Sequence, residues 1–132
     1  MTPRTDILYY LCTVYSSHPR GRVIAYDQAC EIAGKLLVQD VKTYCPIAHG
    51  HSLNRYMPEI SETDHDFWMK VDKFYIDHCH SLLVACMDNW ENSRGIGEEI
   101  EYATMKGKKV LYLDPKTLKL YSGRREALEY TG

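Results

Sequence analysis

The run Asp88-Asn-Trp-Glu-Asn-Ser-Arg-Gly-Ile-Gly-Glu-Glu99 has residue types and spacing that can do chemistry. Ser93 is placed to cap a helix. Gly95 and Gly97 in the first turn let a ligand approach backbone N–H groups, where the helix dipole favours an anion. The pattern fits a phosphate-binding turn built from Ser93, Arg94, Gly95 and Gly97. It fits a plain capped helix with closely packed glycines equally well, because a strand-to-helix Gly-x-Gly is a weak signal alone. At about 100° per residue, Ile96, Glu99, Ile100 and Ala103 share one face, while Glu98 and Glu101 point away toward solvent. Glu99 is thus a carboxylate on the face that packs against the rest of the protein. Burying it without a partner is costly, so it either has a partner in a cleft or keeps its head in water. An ionised, partly desolvated carboxylate suits nucleophilic attack on a sugar carbon.

A second acid follows the same logic. Trp68, Val71, Asp72 and Tyr75 form one stripe of a preceding helical pattern, with Lys70 and Asp77 outside it. Asp72 would reach the same end of the fold as Glu99. Two converging acids resemble the nucleophile-plus-acid pair of glycosyl chemistry, and the bland reading of Asp72 is a pair with Lys73 or a tyrosine hydroxyl. His49-Gly-His51 and His78-Cys-His80 have neither structural-zinc spacing nor an i, i+4 ligand pair. No metal and no cofactor is expected. Nucleophile-elbow, phosphate-loop and dinucleotide-binding patterns are all missing from the chain.

Positioning these residues requires a scaffold, and the chain alternates apolar runs with helical patterns. Strands are expected at Ile7–Val14, Val41–Cys45, Ser81–Met87 and Lys109–Leu113. Helices are expected at Arg22–Gln39, at Ser61–Asp77 with Ser61 or Thr63 as cap, and at Gly95–Lys106 with Gly107 as stop. Ile47–Ile60 reads as a loop. The tail from Asp114 reads as a short strand and a terminal helix over Arg124–Tyr130. This alternation predicts an α/β fold: a flavodoxin-like or Rossmann-like three-layer sandwich, with a mainly parallel sheet of four or five strands. One domain spanning 1–132 is expected from the length. Ligands bind such sheets at the carboxyl ends of the strands, so the segments at Thr13–Arg22, Cys45–Pro58 and Asp88–Gly97 matter most.

Composition narrows the function classes. Sixteen Lys+Arg against eighteen Asp+Glu give a net charge of −2, which argues against a general nucleic-acid coat. No apolar run approaches the roughly 18 residues of a membrane span. The polar start Met1–Asp6 has no signal-peptide core. Five cysteines, an odd number, point to reduced thiols in the cytoplasm.

With these residues in view, the chain resembles the nucleoside 2-deoxyribosyltransferase-like superfamily, from about Ile7 to Leu113. That group includes deoxyribosyltransferases and nucleoside 5′-monophosphate N-glycosidases. The run from Asp88 to Glu99 is similar to the family's Ser/Gly-x-Gly-x-Gly-x-Glu turn and helix, which implies that Glu99 is the catalytic glutamate. The resemblance places the helix aspartate that contacts base or sugar at Asp72. Tyr9 to Tyr15 resembles the opening strand, with Tyr10 as the tyrosine that hydrogen-bonds the nucleophile. Tyr44-Cys-Pro-Ile-Ala-His49 resembles the segment walling the base. An uncharacterised branch of the superfamily shares the Pro-Ile-Ala-His and Trp-Glu-x-Ser-x-Gly runs most closely.

The resemblance implies attack of the glutamate on the anomeric carbon, a covalent deoxyribosyl-enzyme, and capture of the sugar by water or a second base. Ser93 beside Arg94 favours a 5′-monophosphate, because the family's hydrolases bind phosphate through a serine at this turn. The family's hydrolases carry further phosphate ligands in the first-strand turn, where Ser16, Ser17, Arg20 and Arg22 could serve here, although the match is not residue for residue. Tyr44, Ile47, His49, Trp68 and Trp90 are expected to wall the base. The expected function is an N-glycosidase acting on a nucleotide, with a nucleoside deoxyribosyltransferase and a non-catalytic nucleotide-binding module as alternatives. A homodimer or higher homo-oligomer follows from the resemblance.

Overall fold

The computed structural model describes residues 1–123. Apolar runs become the strands β1 (Leu8–Cys12), β2 (Lys42–Tyr44), β3 (Ser81–Ala85) and β4 (Lys109–Leu113), and a two-residue β5 (Leu120–Tyr121) closes the sheet. The sheet order is β2-β1-β3-β4-β5. The first four strands are parallel and β5 runs antiparallel to β4. All five residues of β3 are buried, which explains the apolar run that follows Ser81. The fold is the expected α/β sandwich, in the flavodoxin-like strand order.

Four helices fill the connections: α1 (Arg22–Val38), α2 (Pro46–Asn54), α3 (His65–His78) and α4 (Arg94–Met105). Right-handed crossovers to β2 on one side and to β3 and β4 on the other place α1 opposite α3 and α4. Helix α3 packs on α4, and α1 packs on α2 and β2. The strand order reverses at β1 and β3, where such sheets open a crevice.

Two expectations are corrected. The segment read as a loop from Ile47 contains α2, which starts on Pro46, a residue suited to a first helical position. Helix α3 is capped by Asp64, whose carboxylate accepts the Phe67 N–H at 3.2 Å, and not by Ser61 or Thr63. The buried residues of α3 are Met69 and Ile76, and the expected stripe of Trp68, Val71, Asp72 and Tyr75 is half-buried beside them. Helix α4 ends as expected, with Gly107 at φ 73° beyond its C-cap. The expected terminal helix over Arg124–Tyr130 lies outside the described residues.

Candidate functional site

A cavity of about 440 Å³ opens at the carboxyl ends of β1 and β3. Its floor carries Asp72 from α3 and Glu99 from α4. One end is made by Ser93, Arg94 and Gly95 at the start of α4, facing Ser16 and Ser17 after β1. The other is apolar, formed by Pro46, Ile47 and Gly50 of α2 with Trp68 of α3. Gly50 allows close packing there, because a Cβ would stand 3.2 Å from the Trp68 ring, tighter than ordinary contact.

Glu99 is 5% exposed, one of few charged groups in the core. The wheel explains why: Ile96, Glu99 and Ala103 form the buried face of α4. Tyr10, in the middle of β1, donates its hydroxyl proton to Glu99 Oε2. Burial, then the Glu99 charge, hold the Tyr10 hydroxyl well above its ordinary pKa, so it remains a donor.

Burial raises both acids. It lifts the Glu99 carboxyl well above the ordinary range, with Asp72 as the next cause, against hydrogen bonds from Tyr10 and Cys12. Asp72 is pushed up to about 7 by burial, against the Tyr10 hydroxyl and the charge of His65. Two carboxyls that oppose each other's charge titrate as a pair, and ionising one favours the protonated form of the other. A nucleophilic Glu99 therefore requires the pair's proton to sit on Asp72, with the Tyr10 hydroxyl bond holding the charge on Glu99.

This has a consequence for stability. A carboxyl with a raised folded-state pKa favours folding at low pH, and that contribution is lost as pH rises through about 7. Asp72→Asn removes the penalty. The variant is expected to melt above wild type at pH 8, with the difference shrinking toward pH 5, when both are followed by thermal unfolding. A variant that melts below wild type at pH 8 would contradict the buried pair.

The start of α4 is shaped for an anion. Ser93 Oγ accepts the Ile96 N–H at 3.2 Å, capping the helix. Its hydroxyl hydrogen is still available to donate. The N–H groups of Arg94 and Gly95 have no intrahelical partner, as in any first turn. Ser17 Oγ, in the facing wall, is buried without a hydrogen-bond partner among the described residues.

Other sequence expectations place differently. Gly97 is outside the cavity lining, and its N–H closes the helix onto Ser93 O at 3.0 Å. Trp90 does not wall the cavity. Asn89, at φ 67°, turns the chain so that the indole enters the core, 1% exposed, with its ring 5.6 Å from that of Tyr112. Tyr44 lies on edge strand β2, stacked on Tyr75 at 3.9 Å, and His49 is exposed beside them, so neither lines the cavity. Arg20 is exposed and outside the lining, and Arg22 is held by Glu62 at 3.0 Å. Glu98 is not free in solvent: its carboxylate bonds His65 Nε2 at 2.7 Å and Arg94 Nε at 3.2 Å.

Sequence reasoning missed the mouth of the cavity. The Tyr15 hydroxyl bonds His51 Nδ1 at 2.6 Å and Glu62 at 3.2 Å. His51 also stacks on Tyr26 of α1, so the cluster ties α2 to α1, to the turn after β1 and to the loop before α3. Treating the α2 segment as a loop hid the face on which Ile47, Gly50, His51 and Asn54 line up. His51 is thereby separated from His49, while His78 bonds Phe74 O and His80 bonds Ser81 Oγ. Among the described residues, no group of three or more His, Cys, Asp and Glu is placed to hold a metal ion.

A family model described as a domain of unknown function, DUF1937, matches residues 8–114. No curated protein matches the chain at a significant level.

Proposed function

We propose that this chain, which belongs to the DUF1937 family, cleaves the N-glycosidic bond of a nucleoside 5′-monophosphate. The observation that carries the reading is the buried Glu99–Tyr10 hydrogen bond beside Asp72, at the floor of a cavity with one anion-favouring end and one apolar end. The phosphate lies against Ser93 and the N–H groups of Arg94 and Gly95. The base lies against Ile47 and Trp68, which puts C1′ over the two acids.

A Glu99 carboxylate oxygen bonds to C1′ as the C1′–N bond breaks, and its electron pair leaves with the base. Asp72 gives its proton to the departing base. Water then adds to C1′, its proton returns to Asp72, and the ester bond to Glu99 breaks, releasing sugar phosphate. Tyr10 holds the attacking carboxylate in place and offsets its charge in the free enzyme.

A panel of ribo- and 2′-deoxyribonucleoside monophosphates, assayed for released base, tests this reading. Free base from at least one nucleotide is expected. If the sugar is transferred only when a free acceptor base is present, the deoxyribosyltransferase reading takes its place. Tight binding without turnover would instead leave a nucleotide-binding module.

The proposal includes a cytoplasmic location, supported by five free cysteines. Among the described residues, no helix is long and apolar enough to cross a membrane. It also includes a homo-oligomer, supported by the resemblance and by Phe74, which is 60% exposed on α3. Light scattering at micromolar concentration is expected to give a multiple of the chain mass, and a monomer would contradict this.

A further inference from the structure

A second cavity, of about 330 Å³, adjoins the first in the groove between α3 and α4. His65, Met69 and Arg94 line both cavities. Lys70 and Lys73 of α3 line only the second, together with Asp66 and Glu98. Between the two stands a bridge from helix to helix: Arg94 Nε and His65 Nε2 both bond the carboxylate of Glu98. The bridge joins the first turn of α3 to the second turn of α4, next to the anion-favouring end.

We infer that the Glu98–His65 bridge is a specificity device that stops the substrate's phosphate chain at one phosphate. The inference rests on the monophosphate reading above. A phosphate seated on Ser93 and Gly95 has Arg94 and the bridge as its outer boundary. A second phosphate would have to enter the α3–α4 groove, where Lys70 and Lys73 could receive it. The Glu98 carboxylate lines that groove and is bonded to His65 and Arg94, two of the side chains shared by both cavities. It blocks the way sterically while paired to His65, and it repels a further anion. The bridge thus keeps two cavities apart that would otherwise form one polyphosphate site.

The test is calorimetric titration with the 5′-mono- and 5′-diphosphates of the common ribo- and 2′-deoxyribonucleosides. Wild type, Glu98→Gln, Glu98→Ala and His65→Ala are compared, with circular dichroism confirming the fold of each. Wild type is expected to bind the best monophosphate at least about tenfold tighter than its diphosphate, the scale of a like-charge clash at a binding site. The ratio should fall to within about threefold in Glu98→Ala and in His65→Ala, which open the bridge from opposite helices. Glu98→Gln, which keeps the shape and loses the charge, should fall between, and it decides the matter if the alanine variants unfold. An unchanged ratio across folded variants, or a wild type that takes diphosphates equally well, overturns the inference and leaves the proposed function standing. A wild type that binds none of these nucleotides overturns both.

Discussion

Glu99→Gln is expected to lower turnover of a nucleoside monophosphate by at least about a hundredfold while leaving nucleotide binding largely intact. Glutamine has the same length and can still accept the Tyr10 hydroxyl proton, so the cavity keeps its shape. It lacks the anionic oxygen that forms the bond to C1′. The loss should fall on kcat rather than KM, because the missing interaction is made only when the bond forms. Glu101→Gln is the control: Glu101 is exposed on the far face of the same helix. Comparable losses in both variants would contradict the assignment. The stability change provides a second readout, since removing a buried carboxyl with a raised pKa should raise the melting temperature at pH 8.

Ser93→Ala is expected to lower kcat/KM for a nucleotide by about ten- to a hundredfold, the range set by a hydroxyl hydrogen bond to a charged group at roughly 1.5–3 kcal/mol. Activity on the corresponding nucleoside should change much less, because that substrate has no phosphate to receive the bond. The same serine caps α4 through the Ile96 N–H, so the variant also loses about 1 kcal/mol of stability. Melting temperatures measured alongside the kinetics separate the two effects. If wild type prefers the nucleoside, and Ser93→Ala harms both substrates equally, the phosphate has been assigned to the wrong place.

The acids were legible because a helix imposes its own geometry. Glu99 falls between Ile96 and Ala103 on any 3.6-residue wheel, and Ser93 precedes the first turn as a cap should. The parallel sheet was legible for a similar reason, since only strands covered on both faces read like Ser81–Ala85. What was lost depends on contacts between elements. Glu98 points to solvent on an isolated helix, yet His65 arrives from α3 to bond it. Gly50 and Pro46 suggest a loop by propensity, but Pro46 begins α2 and Gly50 makes room for Trp68. Trp90 sits within the most informative motif, and a left-handed Asn89 sends it into the core. Tyr44 resembles a base-pocket residue along the chain, whereas its edge strand leaves it against Tyr75 instead.

The most direct test of the central claim is mass spectrometry of the protein quenched in acid during turnover of its best nucleotide substrate. A 2′-fluoro analogue can be used to slow the oxocarbenium-like steps and build up the intermediate. The account predicts a glycosyl-phosphate adduct on the peptide carrying Glu99, lost on further incubation and absent from Glu99→Gln. Base release that proceeds at full rate in Glu99→Gln, or an adduct on a different residue, would contradict it.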